Sequence, residues 1–285
     1  MKNSIRLKYR DLLLAAISVL TLLLLNSCQK VINVDLNDAA PRIVIEGLIN
    51  DRRGPYNVSI SRSGSYFDQP VLPTVSNAIV IITDNTGIID TLIEPFKGVY
   101  VTRKTRGFSG RTYHLKVLAD NMEYDGTSSI LNHVNIDSIT LVKSDIQRFD
   151  FGSNDQNKVH YEIHCFFKDP PDKNYYRVRV FRNDSINTAA YRLYDDQYTN
   201  GQETELRVSN AEAGSTYRID LESLDKSTYN YYRTLADLIY SNPIFGSTPA
   251  NPNSNLSNGA LGYFGAYAVS SKIMVVTAAM VNQGK

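Results

Sequence analysis

Two histidines four residues apart, His160 and His164 in HYEIHC, are the nearest approach of this chain to a metal-binding pair. On a helix that spacing would set both rings on one face, where they could share a zinc ion. Their neighbours are aromatic and β-branched, however, and along a strand residues four apart lie about 13 Å from each other, too far for one ion. Glu162 falls between them on the same strand face, yet the H-E-x-x-H order of zinc proteases is absent, so both are expected to be sheet histidines. GFSGR at 107–111 is one residue short of a G-x-S-x-G nucleophile elbow and lacks the strand-turn-helix that motif needs; it reads as a turn. DDQYTNG at 195–201 has some character of a calcium loop. Tyr198 occupies a ligand position, though, and Arg207 stands where the bidentate glutamate belongs, so a solvated hairpin turn is expected. Gly259, Gly262 and Gly265 recur around Tyr263, Phe264 and Tyr267 without the strand-to-helix turn that cradles phosphate. They are expected to mark bulges or close backbone approach in a strand. No catalytic, metal or cofactor-binding residue emerges, and the chain reads as a non-enzyme.

The cysteines carry a different chemistry. MKNSIRLKYRD opens the chain with four basic residues against one acidic, and Leu12 to Leu25 follows as fourteen largely apolar residues. That pairing is a secretory signal with its h-region, too short for the roughly twenty residues of a membrane span. Leu25-Asn26-Ser27-Cys28 resembles the lipobox of bacterial lipoproteins. The resemblance implies cleavage between Ser27 and Cys28, a thioether from the Cys28 sulfur to diacylglycerol, and an acyl chain such as palmitate on its amine. Each buried methylene contributes about 0.8 kcal/mol, and two or more chains make an anchor stable. Gln29 is not the aspartate of inner-membrane retention, so the outer membrane is expected. Val31 and Ile32, where surface-export signals carry acidic residues, leave both faces of that membrane open. With Cys28 alkylated, Cys165 has no partner for an intrachain disulfide, and its neighbours Phe166 and Phe167 suggest burial.

Removing residues 1–27 takes four basic residues from 30 and one acidic residue from 29, leaving 26 and 28. That near-neutral balance offers no electrostatic case for nucleic acid. Short runs rich in Val, Ile, Tyr and Thr, punctuated by Gly, Asn, Asp and Pro, predict strands and turns throughout. RIVIEGL, YNVSIS, AIVIIT and TYHLKVL form one series. IDSITLV, KVHYEIHCFF, YYRVRVFR, ETELRVS and TYRIDLES form a second, with SSILNHVN (128–135) between them. The pattern predicts an all-β chain of two antiparallel β-sandwich domains, Ig-like or transthyretin-like. Their spans are 41–132 and 133–285, after a signal over 1–27 and a tether over 28–40. One helix is predicted near 228–240, from Tyr231, Leu235, Leu238 and Ile239 at helical spacing, with Ser227 as N-cap and Pro243 beyond its end. A Pro/Asn-rich loop (241–259) then leads to a closing strand.

Several segments together resemble the Bacteroidota lipoprotein family catalogued as domain of unknown function 4249. They are the lipobox, INVDLNDAAPRIVIEGLINDRRGPYNVSISRSGSYF, NAIVIITDNTG, KGVYVT, GRTYHLKV, NIDSITL and NSNLSNGALGYFGAY. The first-domain pieces also look like carboxypeptidase-regulatory modules, through Ala78, Val80, Gly87, Gly98 and Tyr100; the second domain is of fibronectin or Ig type. The family implies no activity, only a setting in the outer membrane beside TonB-dependent transporters. The expectation is therefore a lipid-anchored accessory to such a transporter or to envelope assembly. A surface adhesin for glycan or host is the alternative, and a hydrolase with a loop-borne site a distant third. Tyr263, Phe264 and Tyr267, with the loop from Asn251, are the candidate partner surface. Asp90-Thr91-Leu92, Asp137-Ser138-Ile139 and Asp184-Ser185-Ile186 resemble the O-glycosylation signal of Bacteroidota, making Thr91, Ser138 and Ser185 candidate acceptors.

Overall fold

The computed structural model describes residues 40–64, 72–144, 160–186, 192–240 and 251–282; the signal, Cys28 and Pro243 lie outside them. Period-two alternation dictates the strands. In β7 (Thr112–Ala119), Tyr113, Leu115, Val117 and Ala119 are buried while His114 and Leu118 face water. The same pattern makes β1 (Ile43–Asn50), β2 (Asn57–Arg62) and β3 (Ile79–Asp84), followed by β4 (Ile89–Thr91), β5 (Ile93–Phe96), β6 (Val99–Val101) and β8 (Met122–Ser129). The second series is β9 (Ser138–Lys143), β10 (Tyr161–Lys168), β11 (Tyr175–Arg182), β12 (Ser185–Ile186), β13 (Arg192–Asp195), β14 (Glu203–Ala211) and β15 (Thr216–Leu224). Helix α1 (Lys226–Tyr240), strand β16 (Leu261–Val275) and helix α2 (Ala278–Asn282) complete the chain.

The fold is all-β and sandwich-like. A four-stranded sheet, β4-β3-β7-β8, and a three-stranded sheet, β14-β10-β9, each pack against one long sheet ordered β12-β11-β15-β16-β1-β2-β6-β5, with β13 beside β11. One core gathers residues from Ile43 to Ile130 together with Leu256, Phe264, Ala266 and Ala268. The other gathers residues from Val134 to Leu221 together with Val276. The first core thus returns to the chain at Leu256 to Ala268 and the second at Val276, so neither the cores nor the strands divide at a single point. β16 pairs with β1 in parallel, from Val44↔Leu261 to Asn50↔Tyr267, and then with β15 antiparallel, from Leu224↔Tyr267 to Thr216↔Val275. One strand thus serves both sandwiches, and residues from Ala40 onward form a single compact unit. The parallel pair departs from the all-antiparallel expectation. Some two hundred residues separate its partners, so no hairpin dictates their direction.

Where β16 has no strand on one side, side chains take the place of one. Asn255 Oδ1 accepts the Phe264 N–H at 2.9 Å and Asn255 Nδ2 donates to the Phe264 carbonyl at 2.6 Å, while Ser128 Oγ accepts the Ala266 N–H at 2.7 Å. The adjoining loop closes the β8 edge. Ser257 N–H donates to the Asp125 carbonyl, Ser257 Oγ accepts the Asp125 N–H, and Asn258 donates to the Glu123 carbonyl. The described part of the Pro/Asn-rich segment is thus an edge cover, consistent with the need to occupy unpaired strand edges.

Tyrosine does the work that tryptophan would do elsewhere. Tyr100, Tyr113, Tyr176 and Tyr217 are fully buried, each with its hydroxyl at the margin of a core. Tyr100 donates to the Val75 carbonyl, Tyr113 to the Arg106 carbonyl, and Tyr176 to Asp169, while the Tyr217 oxygen accepts the Glu212 N–H. Each ring fills a core and each hydroxyl satisfies a loop group that would otherwise be left unpaired.

Gly262 sits at φ +86° with the site of a β-carbon 2.1 Å from the Ile45 carbonyl oxygen. Gly262→Ala must break the β1–β16 pairing or strain it, so a loss of at least about 2 kcal/mol is expected in chemical denaturation. A wild-type midpoint would contradict this placement of β16.

Candidate functional site

Register fixes the outer face of the long sheet, the side turned away from the cores. Val178, Val180, Ile219 and Leu221 point inward, so Arg177, Arg179 and Phe181 of β11 and Arg218, Asp220 and Glu222 of β15 point outward. Opposite these in β16 stand Val269, Ser271 and Ile273. Helix α1 covers one end of this face. Its N-cap is Asp225 rather than Ser227, because the Asp225 carboxylate accepts the Thr228 N–H at 2.8 Å and, through its other oxygen, the Ser129 N–H at 2.9 Å. One carboxylate thereby starts the helix and ties it to β8. Gly265 of β16 lets the helix close in, with Thr228 Cγ2 3.2 Å from where a β-carbon would sit. Ile239, counted by spacing among the apolar positions, is half exposed; Thr228, Tyr231 and Tyr232 are the residues buried beneath the helix.

Under α1 lies a charged and aromatic cluster. Arg177 and Glu222 are both buried and ion-paired, and the guanidinium lies 3.9 Å from the Tyr232 ring centroid and 3.4 Å from the Tyr267 hydroxyl. Burial opposes the charge on Arg177, but the Glu222 carboxylate outweighs it and holds the guanidinium protonated. Tyr263 stacks on Tyr231 at 4.4 Å and shares a hydrogen bond with Tyr232. Burial and the neighbouring Tyr232 push its phenol well above the ordinary range.

Beyond the helix the face is open. Arg52 Nη2 lies 3.2 Å from Asp220, Arg218 Nε 3.4 Å from the same carboxylate, and Arg179 Nη1 3.3 Å from Glu222. Side-chain exposure is 43, 34 and 29% for Arg52, Arg218 and Arg179, against 3 and 1% for Asp220 and Glu222, so of these five charged groups the guanidiniums are the ones that meet water. Phe181 lies beneath the Arg218 and Arg179 guanidiniums, at 3.9 and 4.9 Å. Ile273 and Val275 stand exposed beside them.

The structure redistributes the residues singled out in the sequence. Phe264 and Tyr267 are fully buried and Tyr263 is partly buried against α1, so these rings are not the exposed anchors expected: alternation sends Phe264 into the first core and Tyr267 under the helix. His164 is engaged by Glu205 and Glu162, and among the described residues no cluster of ligands suits a metal ion. Residues 195–201 join β13 to β14, which belong to different sheets. That segment is thus a crossing between layers and not a hairpin, pinned by Asp196, which accepts the Asn174 N–H and pairs with Lys173. Thr91, Ser138 and Ser185 are exposed. Asp90, beside Thr91, is buried; burial alone would raise its pKa, but the N–H groups of Lys104, Thr105 and Arg103 outweigh that and hold it low. An open pocket of about 470 Å³ is lined by His133, Asn135, Asp137, Lys168 and Asp169. His133 Nδ1 lies 2.7 Å from Asp51. The Arg–Phe face escaped the sequence reading. Its only trace there is the alternation R-V-R-V-F in β11 and R-I-D-L-E in β15.

A family model described as a domain of unknown function (DUF4249) matches residues 29–273, which is most of the chain. The protein belongs to that family. No curated protein matches it. Within this DUF4249 chain the match ends at Ile273, so it takes in both sandwiches, α1 and the Arg–Phe face.

Two expectations test these contacts. Arg177→Met leaves Glu222 charged and buried, which should cost roughly 3–5 kcal/mol, while Arg177→Met/Glu222→Met should recover most of it. Thermal or urea unfolding of both variants decides, and a single mutant as stable as wild type would remove the pair from the core. Burial pushes the Cys165 thiol up to about 12. It should therefore resist thiol reagents at pH 8 in the folded protein and react on unfolding; rapid labelling of folded protein would contradict its burial.

Proposed function

We propose that this protein is a non-enzymatic, lipid-anchored binding protein of the bacterial outer membrane, serving a TonB-dependent transporter or envelope assembly in Bacteroidota. The observation that carries the anchor is Leu25-Asn26-Ser27-Cys28 behind a basic segment and fourteen largely apolar residues. The family match supports it by starting at residue 29, directly after the cysteine that would become the N-terminus. A binding role is supported by the open Arg–Phe face, whose arginines are of a type enriched at interface hot spots. The most exposed aromatics, Phe96 and Tyr198, belong to distant elements, β5 and the β13–β14 crossing. These two form no joint platform for sugar stacking. The proposal extends to O-glycosylation at one or two of Thr91, Ser138 and Ser185.

Cys28→Ala should abolish both the acyl mass and partitioning into the membrane fraction, read by intact-mass spectrometry and fractionation. An acylated, membrane-bound mutant would sink the anchor. A wild-type mass accounted for by lipid and polypeptide alone would dispose of the glycans.

A further inference from the structure

We propose that the uncovered end of the long sheet, built on Arg52, Arg179, Arg218 and Phe181 with Ile273 and Val275 beside them, binds an acidic protein segment that also carries apolar side chains. The proposal deepens the binding role proposed above and is independent of the anchor.

Charge is the first argument. Asp220 is shared by Arg52 and Arg218, and Glu222 by Arg177 and Arg179. Four guanidiniums thus face two carboxylates, and both carboxylates are buried beneath them. Among these six groups, two positive charges are left over. Each guanidinium has five donors, so an incoming carboxylate finds free N–H groups already oriented by the buried acids.

Orientation is the second argument. Stacking of Arg218 and Arg179 on Phe181 holds both guanidiniums in place. Less side-chain entropy is then lost on binding. The third argument decides between anionic partners. Ile273 and Val275 are 66 and 55% exposed and stand beside the arginines on β16. An aliphatic margin next to arginine suits peptide side chains; a phosphate or sulfated sugar would leave it unused.

The test is fluorescence anisotropy on the detergent-solubilised full chain with labelled synthetic peptides: one alternating Glu and Leu, polyglutamate of equal charge, and a Gln–Leu version. The Glu–Leu peptide should bind more tightly than either control, and added salt should weaken it. Arg179→Ala/Arg218→Ala should reduce its affinity by about tenfold or more. Because those changes also unburden Asp220 and Glu222, Ile273→Glu serves as the second variant. That side chain is exposed, so the fold should persist by thermal melt while the acidic peptide is repelled. Polyglutamate or heparin binding as tightly as the Glu–Leu peptide would show a general polyanion surface and overturn the proposal. So would absence of binding, or Glu–Leu binding unchanged in folded Ile273→Glu. Membrane fractionation of Cys28→Ala can fail or succeed without touching this result, so the two readings fall separately.

Discussion

Everything in this molecule hangs on the hydrogen-bond ladder of β16. A strand of fifteen residues pairs with β1 along its first half and with β15 along its second, and its two faces alternate between cores. Even-numbered Phe264, Ala266 and Ala268 complete the first sandwich, while odd-numbered Tyr267 and Val269 lie under α1. Two sandwiches that would each have exposed strand edges at this point instead share one backbone. The cost is that half of each β16 edge has no strand partner. The side chains of Asn255 and Ser128 supply the missing groups on one stretch, and Asp51 accepts the Val269 N–H on the other.

The same geometry explains why a charged pair lies beneath a helix. At the centre of a shared sheet both faces are covered, so a residue that points away from one core does not reach water. Arg177 and Glu222 occupy such positions, and they survive there because the charges are paired, Glu222 also with Arg179, with Tyr232 and Tyr267 beside the guanidinium. Two residues further along β11, where α1 no longer reaches, the same alternation gives Arg179 and then Phe181 to solvent. The covered cluster and the open face are thus one stripe of the sheet divided by the edge of the helix.

Carboxylates recur as fasteners in this fold. Asp84 accepts the N–H groups of Thr86 and Ile88 in the β3–β4 turn and pairs with Arg111, Asp90 gathers three consecutive N–H groups, and Asp225 joins helix to strand. Burial raises the pKa of Asp84 and Asp90, and the hydrogen bonds outweigh it, leaving both below the ordinary range. The stability they contribute is therefore present above the unfolded-state carboxylate pKa and is lost as pH falls through the lower folded values. Chain segments without regular structure are held by charge and backbone donors, and this domain needs no disulfide to hold them.

Local alternation and turn residues were enough to determine the strands of both series, the sandwich-like all-β class and the helix near its observed place. These features depend on neighbours in sequence, where period and propensity act directly. Tertiary structure alone decided that the two sandwiches share a sheet, that β16 runs parallel to β1, and that Asn255 substitutes for a strand. Each of those depends on contacts between residues far apart in the chain, about which a local pattern carries no information. The aromatic stretch shows the limit most plainly. Tyr263, Phe264 and Tyr267 look like anchors for a partner in the sequence, yet which side of a strand meets solvent is set by what packs on it, and here both sides are covered. The face that did stay open joins Arg179 and Arg218, set near each other by the register of β11 and β15, with Arg52 from the turn after β1, which reaches Asp220 across the sheet.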